Sequence, residues 1–306
     1  MKKFNILKML LGNRIIKKIA VFTLLTLVNT NAIAEPIVGS TPTTMPSLGL
    51  MFREHFMYIN YTSQRLNDTT YIKIGADSSF TRMVNVLQID YGFEKNWTLR
   101  LTIPVTFENM KLDTTYSKFA PGGITLDTKY NLFNPTKEMG FVGTYYLEFS
   151  PFLGIRFPTG DKSAFFSPTK SSTDLELGIL GRFGDSKGAA YLTFGYWSNG
   201  LLSKDENITD EIFYNFTIES PFIFNKVMIL CELDGLASTA GDTYYYSLRC
   251  YPGLKYRLMQ TVSEGGSLYQ KTLHELLLEA TCAIPLVEMG DFKYDYAPYI
   301  GLNWKF

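Results

Sequence analysis

Trp97-Thr98-Leu99-Arg100-Leu101-Thr102-Ile103-Pro104-Val105-Thr106-Phe107 is the stretch that decides how this chain reads. Trp97, Leu99, Leu101, Ile103, Val105 and Phe107 are apolar, and Thr98, Arg100, Thr102, Pro104 and Thr106 alternate with them. Successive side chains of a strand point to opposite faces, so this ribbon has one greasy side and one polar side. About eleven residues at about 3.3 Å each, tilted by about 45°, cross a membrane's hydrocarbon core. A strand of a soluble sandwich would run nearer to about five or six residues.

The same period recurs along the chain. Ile124, Leu126, Tyr130 and Leu132 alternate with Thr125, Asp127, Lys129 and Asn131. Phe141, Tyr145, Leu147, Phe149, Leu153, Ile155 and Phe157 face away from Thr144, Glu148, Ser150 and Arg156. Leu175, Leu177, Ile179 and Phe183 oppose Asp174, Glu176 and Arg182, and Leu276, Leu278, Ala280, Cys282 and Ile284 oppose Glu275, Glu279 and Thr281. The last run sets Phe292, Tyr294, Tyr296, Ile300, Leu302, Trp304 and Phe306 against Lys293, Asp295, Asn303 and Lys305. Weaker alternation marks the segments near 50–62, 81–93, 189–198, 211–220, 226–235 and 243–256. The total is about twelve strands, an even number, as bacterial single-chain barrels have. Lipid offers no hydrogen-bond partner, so every strand edge must be paired and the sheet must close. The expected fold is all-β: a transmembrane antiparallel up-and-down β-barrel of about 12 strands over 50–306. Pro104, Pro151, Pro252 and Pro298 fall inside these strands and weigh against it, because proline cannot donate to a ladder.

Composition supports the membrane reading. Aromatics make up 15% of the 306 residues, with 20 Tyr and 23 Phe, as girdles at two membrane interfaces require. The mean hydropathy of −0.01 is too low for a bundle of membrane helices. The formal net charge of zero conceals an asymmetry, because Lys2, Lys3, Lys8, Arg14, Lys17 and Lys18 precede residue 35 and no acid does. Setting those six aside leaves 23 of the 29 basic residues against 29 acidic ones, a net of −6. With no basic patch to neutralise phosphates, nucleic acid is not an expected partner.

Residues 1–34 read as a cleaved export signal: a basic start, a short apolar run from Ile19 to Val28, and Ala32-Ile33-Ala34 before Glu35. An uncleaved N-terminal anchor is the alternative. Residues 35–49, with Pro36, Pro42 and Pro46, read as a periplasmic N-terminal segment, or as a plug tucked into the lumen. Long links are expected near 63–80, 109–121, 159–171 and 199–210, and short ones at 94–96, 134–137 and 184–188. That alternation suits short periplasmic turns and longer external loops. It breaks at 257–271, which should be periplasmic yet is long, and at 288–291, which should be external yet is short. Cys231, Cys250 and Cys282 sit in strand-like runs; they read as small apolar residues, with a Cys231–Cys250 bridge left open.

The ending Tyr299-Ile300-Gly301-Leu302-Asn303-Trp304-Lys305-Phe306 resembles the signal of barrels inserted by the outer-membrane assembly machinery. The resemblance makes Tyr299, Leu302, Trp304 and Phe306 the insertion signal, and that machinery and outer-membrane lipid the partners. Ile103-Pro104-Val105, then Gly122-Gly123-Ile124-Thr125-Leu126-Asp127-Thr128-Lys129-Tyr130, then Gly154-Ile155-Arg156-Phe157-Pro158-Thr159-Gly160-Asp161 resemble a transporter family of the outer membrane. That family is labelled "MetA-pathway of phenol degradation". The resemblance covers most of the mature chain, implies a channel for small solutes, hydrophobic or aromatic ones if the label guides, and carries over no catalytic residue.

The chemistry on offer is electrostatic. Arg100, Asp127, Lys129, Glu148, Arg156, Asp174, Glu176, Arg182, Glu232, Asp234 and Arg249 fall on polar faces and are the expected lumen-lining charges. Such groups bias which solutes pass, or simply fill the interior as ladders of ion pairs. The two histidines, His55 and His274, stand far apart and in no hydrolase motif, and no His or Cys cluster suits a metal. The expectation is a non-enzymatic channel in the outer membrane of a Gram-negative bacterium, with no cofactor or metal. The alternative is a structural or adhesive barrel acting through external loops such as Ser163-Ala164-Phe165-Phe166 and Asp113-Thr114-Thr115-Tyr116.

Overall fold

The computed structural model describes residues 45, 48–65, 71–75, 78–94, 96–111, 115–132, 136–139, 143–159, 173–185, 188–200, 210–238, 246–264, 271–289 and 292–305. Residues 1–34, expected to be an export signal, most of 35–49, Ser163 to Phe166, Asp113, Thr114, Phe306 and the side chain of His274 lie outside the described residues.

Sixteen strands form one antiparallel sheet. They are β1 (Leu50–Arg65), β2 (Tyr71–Lys73), β3 (Ser79–Glu94), β4 (Trp97–Lys111), β5 (Thr115–Pro121), β6 (Thr125–Tyr130), β7 (Thr136–Met139) and β8 (Gly143–Arg156), followed by β9 (Asp174–Asp185), β10 (Gly188–Ser198), β11 (Glu211–Glu219), β12 (Val227–Ser238), β13 (Tyr246–Glu264), β14 (Lys271–Glu288), β15 (Phe292–Tyr294) and β16 (Ala297–Lys305). Three sets of short strands continue one another along the same neighbour. β2 and β3 both pair with β1, β5 and β6 both pair with β4 while β6 and β7 both pair with β8, and β15 and β16 both pair with β1. Merging them gives a wall of twelve strands. The wall closes because β1 pairs with β3 on one side, from Leu50↔Tyr91 to Tyr61↔Phe80, and with β16 on the other, from Met51↔Lys305 to Met57↔Tyr299. The sheet thus closes on itself through β1, which is what a lipid environment demands. Among the described residues no helix is long and apolar enough to cross a membrane.

Burial is inverted relative to a water-soluble domain. Leu126, Leu153, Leu177, Phe194, Leu302 and Trp304 are exposed on the outer face, while Glu108, Glu232, Lys255 and Glu279 are fully buried within the barrel. At the rim where the chain enters and leaves the sheet, Phe93, Trp97 and Tyr130 make edge-on contacts at 6.3 and 6.0 Å and face outward. Trp97 also donates its indole N–H to Thr128 Oγ1. This is the amphipathic aromatic grouping that an interface favours.

Each proline in a strand lies beside an interruption. Pro104 adjoins the break at 122–124, where its carbonyl accepts from Gly122 N at 2.8 Å. Pro151 adjoins the break between β6 and β7, and Pro298 that between β15 and β16. Pro252 falls where the β13–β14 ladder skips from Cys250↔Ile284 to Gly253↔Thr281. The missing N–H is thus absent where no partner strand asks for it.

Several boundaries differ from the sequence reading. The link expected at 109–121 shrinks to 112–114, because β4 and β5 pair up to Lys111↔Thr115. Of the short link expected at 134–137, Thr136 and Lys137 belong to strand β7, which stays paired with β8 as far as Met139↔Gly143. The long link at 257–271 shrinks to 265–270, since β13 and β14 stay paired to Glu264↔Lys271. The interval 289–291 between β14 and β15 is still shorter, so the alternation of loop lengths stays broken there. In the last run Tyr294 is buried inside while Ile300, Leu302 and Trp304 face out. Between Tyr61↔Tyr294 and Met57↔Tyr299 the chain of β15 and β16 carries one extra residue, and one residue of slip exchanges the faces.

Cys231 and Cys250 lie diagonally across β12 and β13 on the outer face, with Sγ atoms 3.6 Å apart. Mild oxidation of the folded protein is expected to remove two of the three thiols by a bridge between them, leaving Cys282. A thiol count that stays at three would contradict this.

Candidate functional site

The inner face of the wall carries the polar half of each alternating strand, and its charges group by proximity. Around β1, β13, β14 and β16, the Glu279 carboxylate accepts from His55 Nε2 at 2.9 Å and from Asn303 Nδ2 at 3.3 Å. Arg53 Nε lies 4.0 Å and Lys255 Nζ 3.8 Å from Glu279, and Lys255 donates onward to Glu219 at 3.2 Å. Gly301 admits the imidazole: a Cβ there would stand 2.2 Å from His55 Cδ2. His55, met in the sequence as a histidine without a motif, is a buried member of this network.

The rim at the chain ends carries a cluster of apolar side chains. Phe222, Met228 and Leu277 form a buried cluster, and the Arg257 guanidinium lies 3.7 Å from the centre of the Phe222 ring. Arg257 also donates to Glu275 at 2.8 Å and reaches Asn225. Phe224 and Asn225 take positive φ, 50° and 59°, to make the tight reversal that folds Phe222 inward. At the same rim the Met45 backbone N–H donates to Thr98 Oγ1 at 2.8 Å and Met45 is buried, so this residue of the 35–49 segment meets the inner face. Towards the opposite rim the inner face is aromatic, with Tyr61 stacked on Phe80 at 4.9 Å and edge-on to Tyr294 at 6.2 Å.

A cavity of about 50 Å3 opens between the β4–β6 and β8–β11 walls. Arg100, Asp127 and Lys129 line it on the first, and Phe152, Glu176 and Phe213 on the second. Leu180 and Thr193 complete the lining. Glycines make room for its rings, since a Cβ at Gly178 would meet Phe152 at 2.6 Å and one at Gly195 would meet Phe213 at 2.2 Å.

The charges singled out from the sequence fall into pairs and one group around the cavity. Arg100 makes a two-point bond to Asp90 at 2.9 and 2.8 Å, and Arg156 bonds Asp174 at 2.8 Å and Asn199 at 2.9 Å. Arg182 lies 3.5 Å from Glu148, and Arg249 lies 3.4 Å from Glu288 and 4.0 Å from Asp234. Glu232 accepts from Asn215 at 3.4 Å. Asp127, Lys129 and Glu176 share the cavity with Arg100. In the terminal strand Leu302 and Trp304 face outward, and Tyr299 turns to the inner side, 4.8 Å from the His55 ring.

The sequence reading missed Arg53, Asp90, Glu219, Lys255 and Arg257 as inner groups. Lys255 and Arg257 share the parity of Arg249; Arg257 lies beyond the expected end near 256, while Lys255 lies within that segment, where the alternation is weak. Arg53 and His55 were hidden because Glu54, between them, faces outward and bonds Asn85 at 3.0 Å, which spoils the alternation. Among the described residues no group of three or more His, Cys, Asp or Glu could hold a metal.

A closed antiparallel barrel with an apolar outer face and a charged inner face defines the class: this is the fold of bacterial outer-membrane β-barrels. Among solved structures it resembles the COG4313 outer membrane channel from Pseudomonas putida F1, with a TM-score of 0.58 and 11% identity over 90% of this chain and 100% of that one. The translocator domain of the autotransporter NalP from Neisseria meningitidis matches 84% of this chain and 88% of its own at 13% identity, but its TM-score of 0.43 bears no argument. No family model and no curated protein matches the sequence. The likeness to the COG4313 channel therefore speaks for the fold, and the narrower family resemblance rests on the three motifs quoted above.

Proposed function

We propose that this chain is a non-enzymatic outer-membrane channel through which small molecules pass down their gradients. The observation that carries the reading is the inner wall, where charges of both signs surround a cavity while the outer wall is apolar. Side chains of this kind at a constriction bias the solutes that cross. Arg100, Asp127, Lys129, Glu148, Arg156, Asp174, Glu176, Arg182, Glu232, Asp234 and Arg249 are the groups assigned to that lining. The COG4313 relative is described as an outer membrane channel, which favours the same role here. Residues 1–34 would deliver the chain to the periplasm, and the terminal strand would present it to the barrel assembly machinery.

The packing of the interior makes the route narrow. Arg53, His55, Glu148, Glu219, Lys255 and Asn303 are all buried, so little water reaches the inner face. That packing favours the second reading, a structural or adhesive barrel acting through its loops. Recording from planar bilayers separates the two. The channel reading expects discrete conductance steps that grow when Arg53, His55 and Lys255 are shortened to alanine. A reconstituted, heat-modifiable barrel with no conductance and no solute flux would leave the structural reading standing.

A further inference from the structure

Asp127 on β6 and Glu176 on β9 stand either side of Gly154 on β8, in the register Asp127↔Gly154↔Glu176. A Cβ on Gly154 would lie 2.9 Å from Asp127 Cβ and 3.0 Å from Glu176 Oε2, so the two acids lean towards each other over the glycine. Among the described residues neither carboxylate meets a hydrogen-bond donor or an ion-pair cation. The guanidiniums beside them are already committed, Arg100 to Asp90 and Arg156 to Asp174. Two acids face a common space whose other lining charges are Lys129 and Arg100, and because Arg100 is already bonded to Asp90 the space is left short of positive charge.

The other side of the cavity is aromatic. The Phe152 and Phe213 rings lie 6.2 Å apart, tilted by 47°. An aromatic face attracts a cation through its quadrupole, and does so more strongly away from water. A hard metal cation would ask for about six oxygen ligands, which two carboxylates and two phenyl rings do not supply. A volume of about 50 Å3 holds a few waters or one small ammonium group.

We propose that this cavity binds a small organic ammonium ion, its charge between Asp127 and Glu176 and its alkyl group against Phe152 and Phe213. The proposal rests on the channel reading for its place on a solute's route, and names the class of solute: the barrel favours small organic cations over anions.

The test is calorimetric titration of the detergent-purified full chain with ethylammonium chloride, compared with calcium chloride and sodium chloride. Saturable ethylammonium binding is expected, weakened about tenfold or more in the Asp127→Asn/Glu176→Gln double variant, since one lost charge interaction of ordinary size is worth about tenfold. That variant is isosteric and should keep its strand signal in circular dichroism. Phe213→Leu, which retains both acids, should weaken binding about threefold, in line with a modest cation–π contribution. Absence of saturable binding in the wild type, equal binding by the double variant, or tighter binding of calcium than of ethylammonium would each overturn the proposal. Binding without conductance in bilayers would contradict the channel reading and leave the site standing. Conductance without ethylammonium binding would do the reverse.

Discussion

Glu279→Leu is expected to destabilise the barrel by about 3 kcal/mol, the largest effect of any single inner substitution. Glu279 is fully buried and is the point on which Arg53, His55, Lys255 and Asn303 converge. Removing one partner of a buried ion pair leaves the other charge uncompensated in a low dielectric, which costs about 3–5 kcal/mol. The lower figure applies because Glu219 still accepts from Lys255 at 3.2 Å. Arg53→Met combined with Glu279→Leu should recover part of the loss, since an apolar replacement of a whole buried pair is often close to neutral. Urea unfolding in lipid vesicles, followed by tryptophan fluorescence, measures both. A midpoint unmoved by Glu279→Leu would mean that water reaches the network and that the interior is open.

Ile179→Arg is expected to cost about 2–4 kcal/mol by the same measurement, for the opposite reason. Ile179 is on the outer face of β9, 41% exposed, with Phe194 as its register partner on β10. In a bilayer that exposure is to lipid, and an arginine near the midplane of a barrel's lipid face carries a penalty of this size. Glu176→Gln, three residues away and turned inward, should change stability by much less. Were Ile179→Arg harmless, the outer face would be meeting water.

The fold was legible because the membrane imposes two simple rules on this sequence. The hydrocarbon core sets a strand length of about ten residues, and lipid outside with polar side chains inside makes the period two. Trp97 to Phe107 obeys both without exception, and the twelve walls follow from its repetition. What stayed hidden is tied to departures from the alternation. Tyr294 changed face through one extra residue before Ala297, a bulge that no side chain announces. The extensions of β13 to Glu264 and of β5 over Thr115–Pro121 lack a clean apolar face, so they read as loops. Of the site, the presence of inner charges was legible strand by strand, since each sits on a polar face. Their pairing was not. Arg100 and Asp90, or Lys255 and Glu219, meet through register and tilt, quantities set by the closure of the whole sheet rather than by any local run. The glycines that seat His55, Phe152 and Phe213 were equally silent, because the absence of a side chain matters only beside a particular neighbour.

The central claim is that neighbouring side chains of one strand meet lipid and barrel interior in turn. Spin labels placed one at a time from Trp97 to Phe107, in a Cys231→Ser/Cys250→Ser/Cys282→Ser background in bilayers, test it most directly. The account predicts oxygen accessibility that peaks at positions 97, 99, 101, 103, 105 and 107 and falls at 98, 100, 102, 104 and 106. Accessibility that varies smoothly along the strand, or that is high to a water-soluble nickel chelate at the odd positions, would contradict it.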